Sequence, residues 1–567
     1  MRWRPDWAAP YPREHLGSDV VAGIVTALLV IPQSLAYALL AGLPPQAGLY
    51  VSILPALAYA WLGSSRVQAV GPVAITSIMT YAVLSPLATP GSGAYASLAA
   101  TLALGSGLLL IAAARLRLGF LSQLLSRPVI AGFISGSALL IVLSQLKHLF
   151  TFAPAQTSAS AVLSALFAQG HWNMNTWIGA AALLILGLAR WHAPRHLPEN
   201  PAAAARWRFF LRLLPLLLVL AATGLAAHLE LAQRYGLRVV GFIAPGLPDP
   251  HLTLPALDEL NRLIVPMVLL TLIGMVQNIS MAQALASKRH ERIDANAELN
   301  GLGWANLLAA GYGGMPVGGG VSRTAVNVAA GAQTPLSSIV AALVMLVIVL
   351  GAAPLFAGVP LAVLAASIII AALGMVDVNA LRQAWRHDRA DGIAALGTAS
   401  GVCLLGLEAG ITLGVLFSLA THLYRASTPH IAVVGRLPGS SHFRNVERHR
   451  VGTLPHALFL RIDESLFFGN LAAVENRLRD ELGGNPALRE VVLIMSAVNW
   501  VDATAAEALA DLADDLARRS IRLHLAEVKG PVQDRLERAP LWQKLRGEVF
   551  LSANDAFEAL GATHSPQ

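Results

Sequence analysis

Apolar runs of helical length alternate with short polar loops from Asp19 to Leu423, and the alternation stops at Arg425. The first seven runs are Asp19 to Leu40, Gly48 to Leu62, a broken run from Val70 to Leu87, Leu98 to Ala114, Leu121 to Leu143, Thr176 to Leu188 and Phe209 to Leu229. After a polar stretch from Gln233 to Asn261 come seven more. These are Leu263 to Ala286, Leu299 to Ala310, a broken run from Val321, Leu336 to Leu350, Leu361 to Leu373, Ile393 to Leu407 and Ile411 to Leu423. Several are shorter than the roughly 20 residues of an ideal spanning helix, which suits half-helices and tilted packing. Seven runs plus seven, with the broken run third in each set, predict an inverted repeat of fourteen transmembrane segments. The halves cover about 19–232 and 260–428 of a transmembrane domain at 19–428. An odd number per half turns the second half over relative to the first.

The two broken runs are the informative ones. Gly311 to Asn327 reads Gly-Tyr-Gly-Gly-Met-Pro-Val-Gly-Gly-Gly-Val-Ser-Arg-Thr-Ala-Val-Asn, and Gly318, Gly319 and Gly320 open the backbone. Ser322 or Thr324 can cap the helix that begins there. Irregular backbone at membrane depth survives only inside protein or along a cavity. A helix starting there offers free N–H groups and the positive end of its dipole, and Arg323 adds a full charge. The stretch predicts a seat for an anion; taken alone, it also fits a plain loop with Arg323 at an interface. Gln68 to Ser77, containing Val70-Gly71-Pro72-Val73-Ala74, supplies a second copy. Paired Gly/Pro-interrupted segments at corresponding places in two halves point to a transporter site. In the first run, Gln33 and Tyr37 follow Pro32 at helical spacing and share a face, as pocket lining or as a kink with an interfacial tyrosine.

Beyond Arg425, residues 429–456 form a polar linker and 457–567 a soluble α/β domain. Ala457 to Ile462, Val491 to Met495 and Ile521 to Leu525 have strand character. Leu471 to Leu482 and Ala503 to Arg518 have helical periodicity, with Asn470 and Asp502 as caps.

Composition agrees with this division. Of 567 residues, 55% are hydrophobic and 13% charged, against roughly 25% charged in soluble domains. The net charge of +7 lies in short loops between apolar runs, which is topology and not a nucleic-acid footprint. With residues 1–18 in the cytoplasm, predicted inner loops hold Arg66, Arg115, Arg117, Arg190, Arg195, Arg206, Arg208, Arg212, Lys288, Arg289, Arg292, Arg382, Arg386, Arg389 and Arg425. Predicted outer loops hold mainly Lys147, Arg234 and Arg238. Both termini are therefore expected inside, in a multi-pass protein of the cytoplasmic membrane. Met1 to His15 has no apolar signal core, so no cleaved signal is expected. The chain shows no nucleophile–base set, metal-ligand cluster or phosphate-binding loop, so neither an enzyme nor a cofactor is expected.

At these residues the chain resembles the SulP family of anion transporters. The matching stretches are Asp19 to Gly23, Ile31 to Ala38, Gly42 to Pro45 with Gly48 to Tyr50, Val70 to Ala74, and Val321 to Asn327. Val498 to Thr504 is similar to the helix start of a STAS domain, which such transporters carry in the cytoplasm. The resemblance implies a core domain moving against a gate domain by alternating access, a homodimer, and a small anion held between two facing half-helices. Carried over by position, the site comprises Gln33, Tyr37, Val73, Ala74, Gln277, Gly320, Val321, Ser322 and Arg323. The substrate is of the sulfate, bicarbonate, chloride or dicarboxylate class, and an anion channel or anion-gated sensor signalling through the STAS-like domain is the alternative. A nucleobase–proton symporter of the same architecture is disfavoured by Gln277 and Arg323.

Two departures matter. Gln277 stands where many relatives have a carboxylate linked to proton or sodium coupling, while Asp294 and Glu298 read as ordinary acids at a helix start. Thr504 stands where soluble relatives carry a regulatory serine, and it also fits a helix cap. A cytoplasmic partner of the STAS-like domain is a further expectation.

Overall fold

The computed structural model describes residues 7, 11–123, 126–152, 159–191, 201–243, 245–248, 257–312 and 314–562; Arg2, Arg4 and Arg195 lie outside them. The chain divides into two compact units, Met1–Ser418 and Leu419–Gln567.

In the first unit, helix covers most or all of every apolar run named above. Six helices among the described residues are long and apolar enough to cross a membrane, starting with Arg13–Leu40. That first helix is two-faced. Val21, Ile24 and Leu28 are exposed at helical spacing, while Ala22, Thr26, Val30 and Ala36 are buried.

The two broken runs meet. Val70–Gly71 (β1) and Gly318–Gly319 (β2) pair antiparallel, Val70 opposite Gly319 and Gly71 opposite Gly318. Each strand leads directly into a short helix, Ala74–Leu84 and Val321–Ala329. The ladder satisfies backbone groups that lipid could not. Gly320 N–H donates to the Ala69 carbonyl at 3.1 Å and Ala69 N–H donates to Thr324 Oγ1 at 3.1 Å. Asn306 clasps the incoming chain, accepting from Val317 N–H at 2.9 Å and donating to its carbonyl at 3.1 Å.

Two buried carboxylates fasten this crossing to the surrounding helices. Asp19 accepts from the N–H groups of Gln333 and Thr334 and from the hydroxyls of Thr334 and Tyr11. Glu298 accepts from Tyr59, from the N–H groups of Ser64 and Ser65, from Ser64 Oγ at 2.8 Å, and from Asn278 Nδ2 at 2.9 Å. Asn278 Oδ1 in turn accepts from Gln68 Nε2, two residues before β1. Glu298 does stand in the first turn of its helix, but it is fully buried rather than an ordinary acid facing a helix dipole.

The second unit is a six-stranded sheet in the order β4-β3-β5-β6-β7-β8. Its strands are β3 Ile431–Arg436, β4 Phe443–Asn445, β5 Ala457–Ile462, β6 Glu490–Ile494, β7 Arg522–Ala526 and β8 Val549–Phe550. Pairing is antiparallel through β4, β3 and β5, and parallel from β5 to β8. Val491 and Leu493 pack with Leu471, Val474, Leu509 and Ala513 on one face, while Val492 and Ile494 pack with Ala556 and Phe557 on the other. A strand covered on both faces reads as a continuous apolar run, as β6 does from Val491 to Ile494. The stretch expected as a polar linker supplies β3 and β4; its alternating burial, half-covered against β5, reads weakly beside the continuous runs.

The helix Ala503–Arg518 is capped by Asp502, whose Oδ1 accepts from Ala505 N–H at 2.7 Å. Thr504 is therefore not the cap; it sits exposed in the first turn. Asn470 does not cap its own helix either, because its Oδ1 accepts from Phe467 N–H and its Nδ2 donates to the carbonyls of Ala426 and Ser465.

Glu490 on β6 is buried and accepts from Arg522 and from His524 Nε2 at 2.8 Å. Burial pushes its carboxyl up, but the hydrogen bonds from Arg522 and His524 outweigh that and hold it below the usual 4.5. A lowered carboxyl contributes stability that is present above its unfolded pKa and lost as pH falls through the folded one. Glu490→Gln is accordingly expected to speed amide exchange of residues 490–494 in the full chain at pH 7 by about tenfold or more, with the variant-to-native ratio shrinking below about pH 4. A ratio independent of pH would remove the ionised carboxylate from the explanation. For the first unit, Glu298→Gln replaces one of two acceptor oxygens with an NH2 group among five donors. It is expected to destabilise by on the order of 2–3 kcal/mol in thermal unfolding of solubilised protein.

Candidate functional site

The half-helices Ala74–Leu84 and Val321–Ala329 begin at Val73 and Gly320, and neither start has a side-chain cap. The expected caps Ser322 and Thr324 do not serve: both lie inside the helix, and Thr324 Oγ1 accepts from Ala69 instead. The first N–H groups of each helix are left for whatever occupies the adjoining space.

That space is a cavity of about 270 Å³. It is lined by Gln33, Tyr37, Val73, Ala74, Gln277, Gly320, Ser322 and Arg323, so eight of the nine residues expected from the sequence come together. The ninth, Val321, has a side chain outside the described residues. Gln277 Nε2 donates to the Gly319 carbonyl at 3.3 Å, so one amide faces both the crossing and the cavity. The cavity joins two helix N-termini, amide and hydroxyl groups and a guanidinium, a donor-rich set suited to an anion.

Arg323 is placed less simply than the sequence suggested. It is 6% exposed, and its Nη atoms donate to the Val70 carbonyl at 3.2 Å, Ser34 Oγ at 3.2 Å and Ser52 Oγ at 3.4 Å. The guanidinium lies against Gly71, where an added Cβ would collide with Nη1 and Cζ. Arg323 thus lies against β1 and reaches Ser34 and Ser52 while bordering the cavity. Among the described residues it makes no ion pair.

Sequence reasoning missed the opposite wall. Ile368, Ala371, Ala372, Gly374 and Met375 line it, together with Arg190, which is exposed and packs against Gly374. The sequence pattern predicts a loop position for Arg190, whereas the helix Met174–Trp191 includes it. The signal was the shortness of the run ending at Leu188, immediately followed by Ala189-Arg190. A neighbouring cavity of about 200 Å³ shares Ile75 and Gln277 but is otherwise mostly apolar, with Val129, Phe133, Ile273 and Val276 in its lining. It suits hydrocarbon and not an anion.

Residues 16–398 match the Sulfate permease family and residues 449–556 the STAS domain. A probable sulfate transporter of Mycobacterium tuberculosis is 34% identical over 560 residues, covering 97% of this chain and 96% of that protein. Sulfate transporter 4.1, chloroplastic, of Arabidopsis thaliana is 32% identical over 96% of this chain and 80% of its own. The fold is similar to murine solute carrier 26 family member A9, an anion transporter solved in the inward-facing state. The TM-score is 0.88 at 22% identity over 99% of this chain and 94% of that one. It is also similar to the transmembrane domain of a cyanobacterium bicarbonate transporter, with TM-score 0.60 and 23% identity over 70% of this chain and 98% of that one.

The contact between Gly71 and Arg323 gives a sharp test. Gly71→Ala is expected to displace the guanidinium and weaken anion binding by at least about tenfold, read by calorimetric titration of the folded variant with sulfate as the test anion. Unchanged affinity would separate Arg323 from the cavity's electrostatics.

Proposed function

The chain belongs to the sulfate permease family, and from that premise we propose that it carries a small anion of the sulfate, bicarbonate, chloride or dicarboxylate class by alternating access. It is a multi-pass membrane protein and an anion transporter. The observation that carries the finer reading is the facing pair of uncapped half-helices around one cavity edged by a buried arginine. Helix ends and amides hold an anion without a full counter-charge, so a modest rearrangement releases it.

In this reading the half-helices, Gln33, Tyr37 and Gln277 move as one body, and the wall bearing Arg190 moves against it. Fourteen crossings in two inverted halves fit the paired crossing strands. A position in the cytoplasmic membrane with both termini inside is supported by the distribution of arginine in short loops. The STAS domain then faces the cytoplasm, where exposed Thr504 is open to phosphorylation and to a protein partner. The homodimer inferred from the resemblance remains part of the proposal, as does the absence of enzymatic activity.

Coupling follows from the lining. Among the described lining residues none is a carboxylate or a histidine; Gln277 does not titrate near neutral pH, and Arg323 does not serve as a proton switch. The reading is therefore uniport or anion exchange. Purified protein in liposomes is expected to give saturable sulfate uptake stimulated by internal anion. Neither a pH nor a sodium gradient alone should drive uphill accumulation with voltage clamped. Accumulation under either gradient would overturn the coupling scheme, and current without exchange would favour a channel. Arg323→Ala is expected to reduce uptake by at least about tenfold.

A further inference from the structure

The helix Val378–His387 begins just after Met375, which lines the transport cavity. Its start is fixed twice. Asp377 caps it by accepting from Ala380 N–H at 2.8 Å, and Asp377 N–H donates at 3.3 Å to Ser135 Oγ on the helix Arg127–Phe150. The cavity wall and this helix are therefore one continuous, tethered piece of chain.

The helix sorts its side chains by edge. Ala384 alone is buried. Val378 and Trp385, seven residues apart and so on one edge, are 55% and 48% exposed. Trp385 is nevertheless held in place, because it lies against Gly392, where an added Cβ would collide with it. Arg382 and Arg386, four residues apart, occupy the adjacent edge, and both are exposed. Arg389 extends the pattern into the following helix, Arg389–Leu405. It is exposed one turn before Ile393 and two before Leu396, both also exposed, so one charge tops an apolar stripe that faces outward.

Among the described residues none of these three arginines makes an ion pair. The neighbouring acids are occupied: Asp388 caps the second helix by accepting from Ala390 N–H at 2.9 Å, and Asp391 has a partner of its own. Cations set beside an exposed tryptophan and an apolar stripe ask for an occupant that is anionic at one end and hydrocarbon at the other. A free phosphate would leave the apolar edge in water. A neutral lipid would cover that edge and leave the charges without a counter-ion. An anionic phospholipid meets both demands, since its phosphate accepts from guanidinium groups and its chains cover the apolar stripe. Tryptophan is also the residue that favours the boundary between headgroup and hydrocarbon. We propose that Arg382, Arg386 and Arg389 hold the phosphate of an anionic phospholipid of the inner leaflet, with Val378 and Trp385 beside its first acyl carbons. The lipid thereby ties the wall of the transport cavity to the membrane plane. This rests on the membrane orientation given above and not on which anion is carried.

Dioctanoyl phosphatidylglycerol is the probe. Added to full-length protein in an uncharged detergent, it is expected to raise the melting temperature to saturation. Dioctanoyl phosphatidylcholine and glycerol 3-phosphate are expected to leave it unchanged. Replacing all three arginines by glutamine is expected to move the phosphatidylglycerol midpoint to at least about tenfold higher lipid. Arg386→Gln alone is expected to move it about fivefold, which keeps the test available should the triple variant fold poorly. No rise with phosphatidylglycerol overturns the site. An equal rise with phosphatidylcholine leaves only a hydrocarbon cover, and an equal rise with glycerol 3-phosphate leaves only a free-phosphate site; either result overturns it as well. A native midpoint in the glutamine variants places the lipid elsewhere and refutes the assignment. Because the readout uses no transported anion, its failure leaves the transport reading standing.

Discussion

Backbone that leaves a helix inside a membrane must find partners in protein, because lipid offers none. This chain meets that demand twice at one point. Val70–Gly71 and Gly318–Gly319 bond to each other, and each then turns into a helix whose first N–H groups face a common cavity. Everything nearby serves that crossing. Asn306 clasps the strand before it, Thr324 and Ala69 join the two sides, and Arg323 reaches back through the gap that Gly71 leaves. In the transport scheme proposed above, donor groups that would be a liability elsewhere are the means of holding an anion.

The polar residues around the crossing fall into two kinds. Gln33, Tyr37, Gln277 and Ser322 border open space and are available to a ligand. Asp19, Glu298, Asn278 and Asn306 are buried and engaged with protein donors and acceptors. Both carboxylates receive backbone N–H groups from segments distant in sequence, so each acts as a side-chain cap for a neighbouring element. Arg323 belongs to both kinds, being bonded on one side and bordering the cavity on the other.

Much of this was legible in the sequence because it follows from local pattern. Apolar runs located the helices, and Gly318 to Gly320 and Gly71-Pro72 located the breaks. What escaped depends on which segments meet. Glu298 read as a helix-start acid, since nothing local says that Tyr59, Ser64 and Ser65 converge on it. Arg190 read as a loop charge, since its place on the cavity wall depends on packing against Gly374. Strand β3 read as linker because pairing with β5 decides its state more than composition does. Thr504 and Asp502 both suited a cap, and the choice between them depends on a backbone turn invisible in the letters.

The ladder between β1 and β2 has a consequence for how the protein is made. Val70 waits for Gly319, about 250 residues later in the chain. At ribosomal rates of about 5–20 residues per second, that delay is roughly 10 to 50 s. During it the first break has no partner strand, Asp19 lacks the Gln333 and Thr334 donors, and the Ser64–Ser65 turn lacks Glu298. The early half of the molecule therefore enters the bilayer with its future binding seat unsatisfied. Its backbone is satisfied only when the late half arrives, so assembly of the crossing trails entry of the first half and depends on chain length.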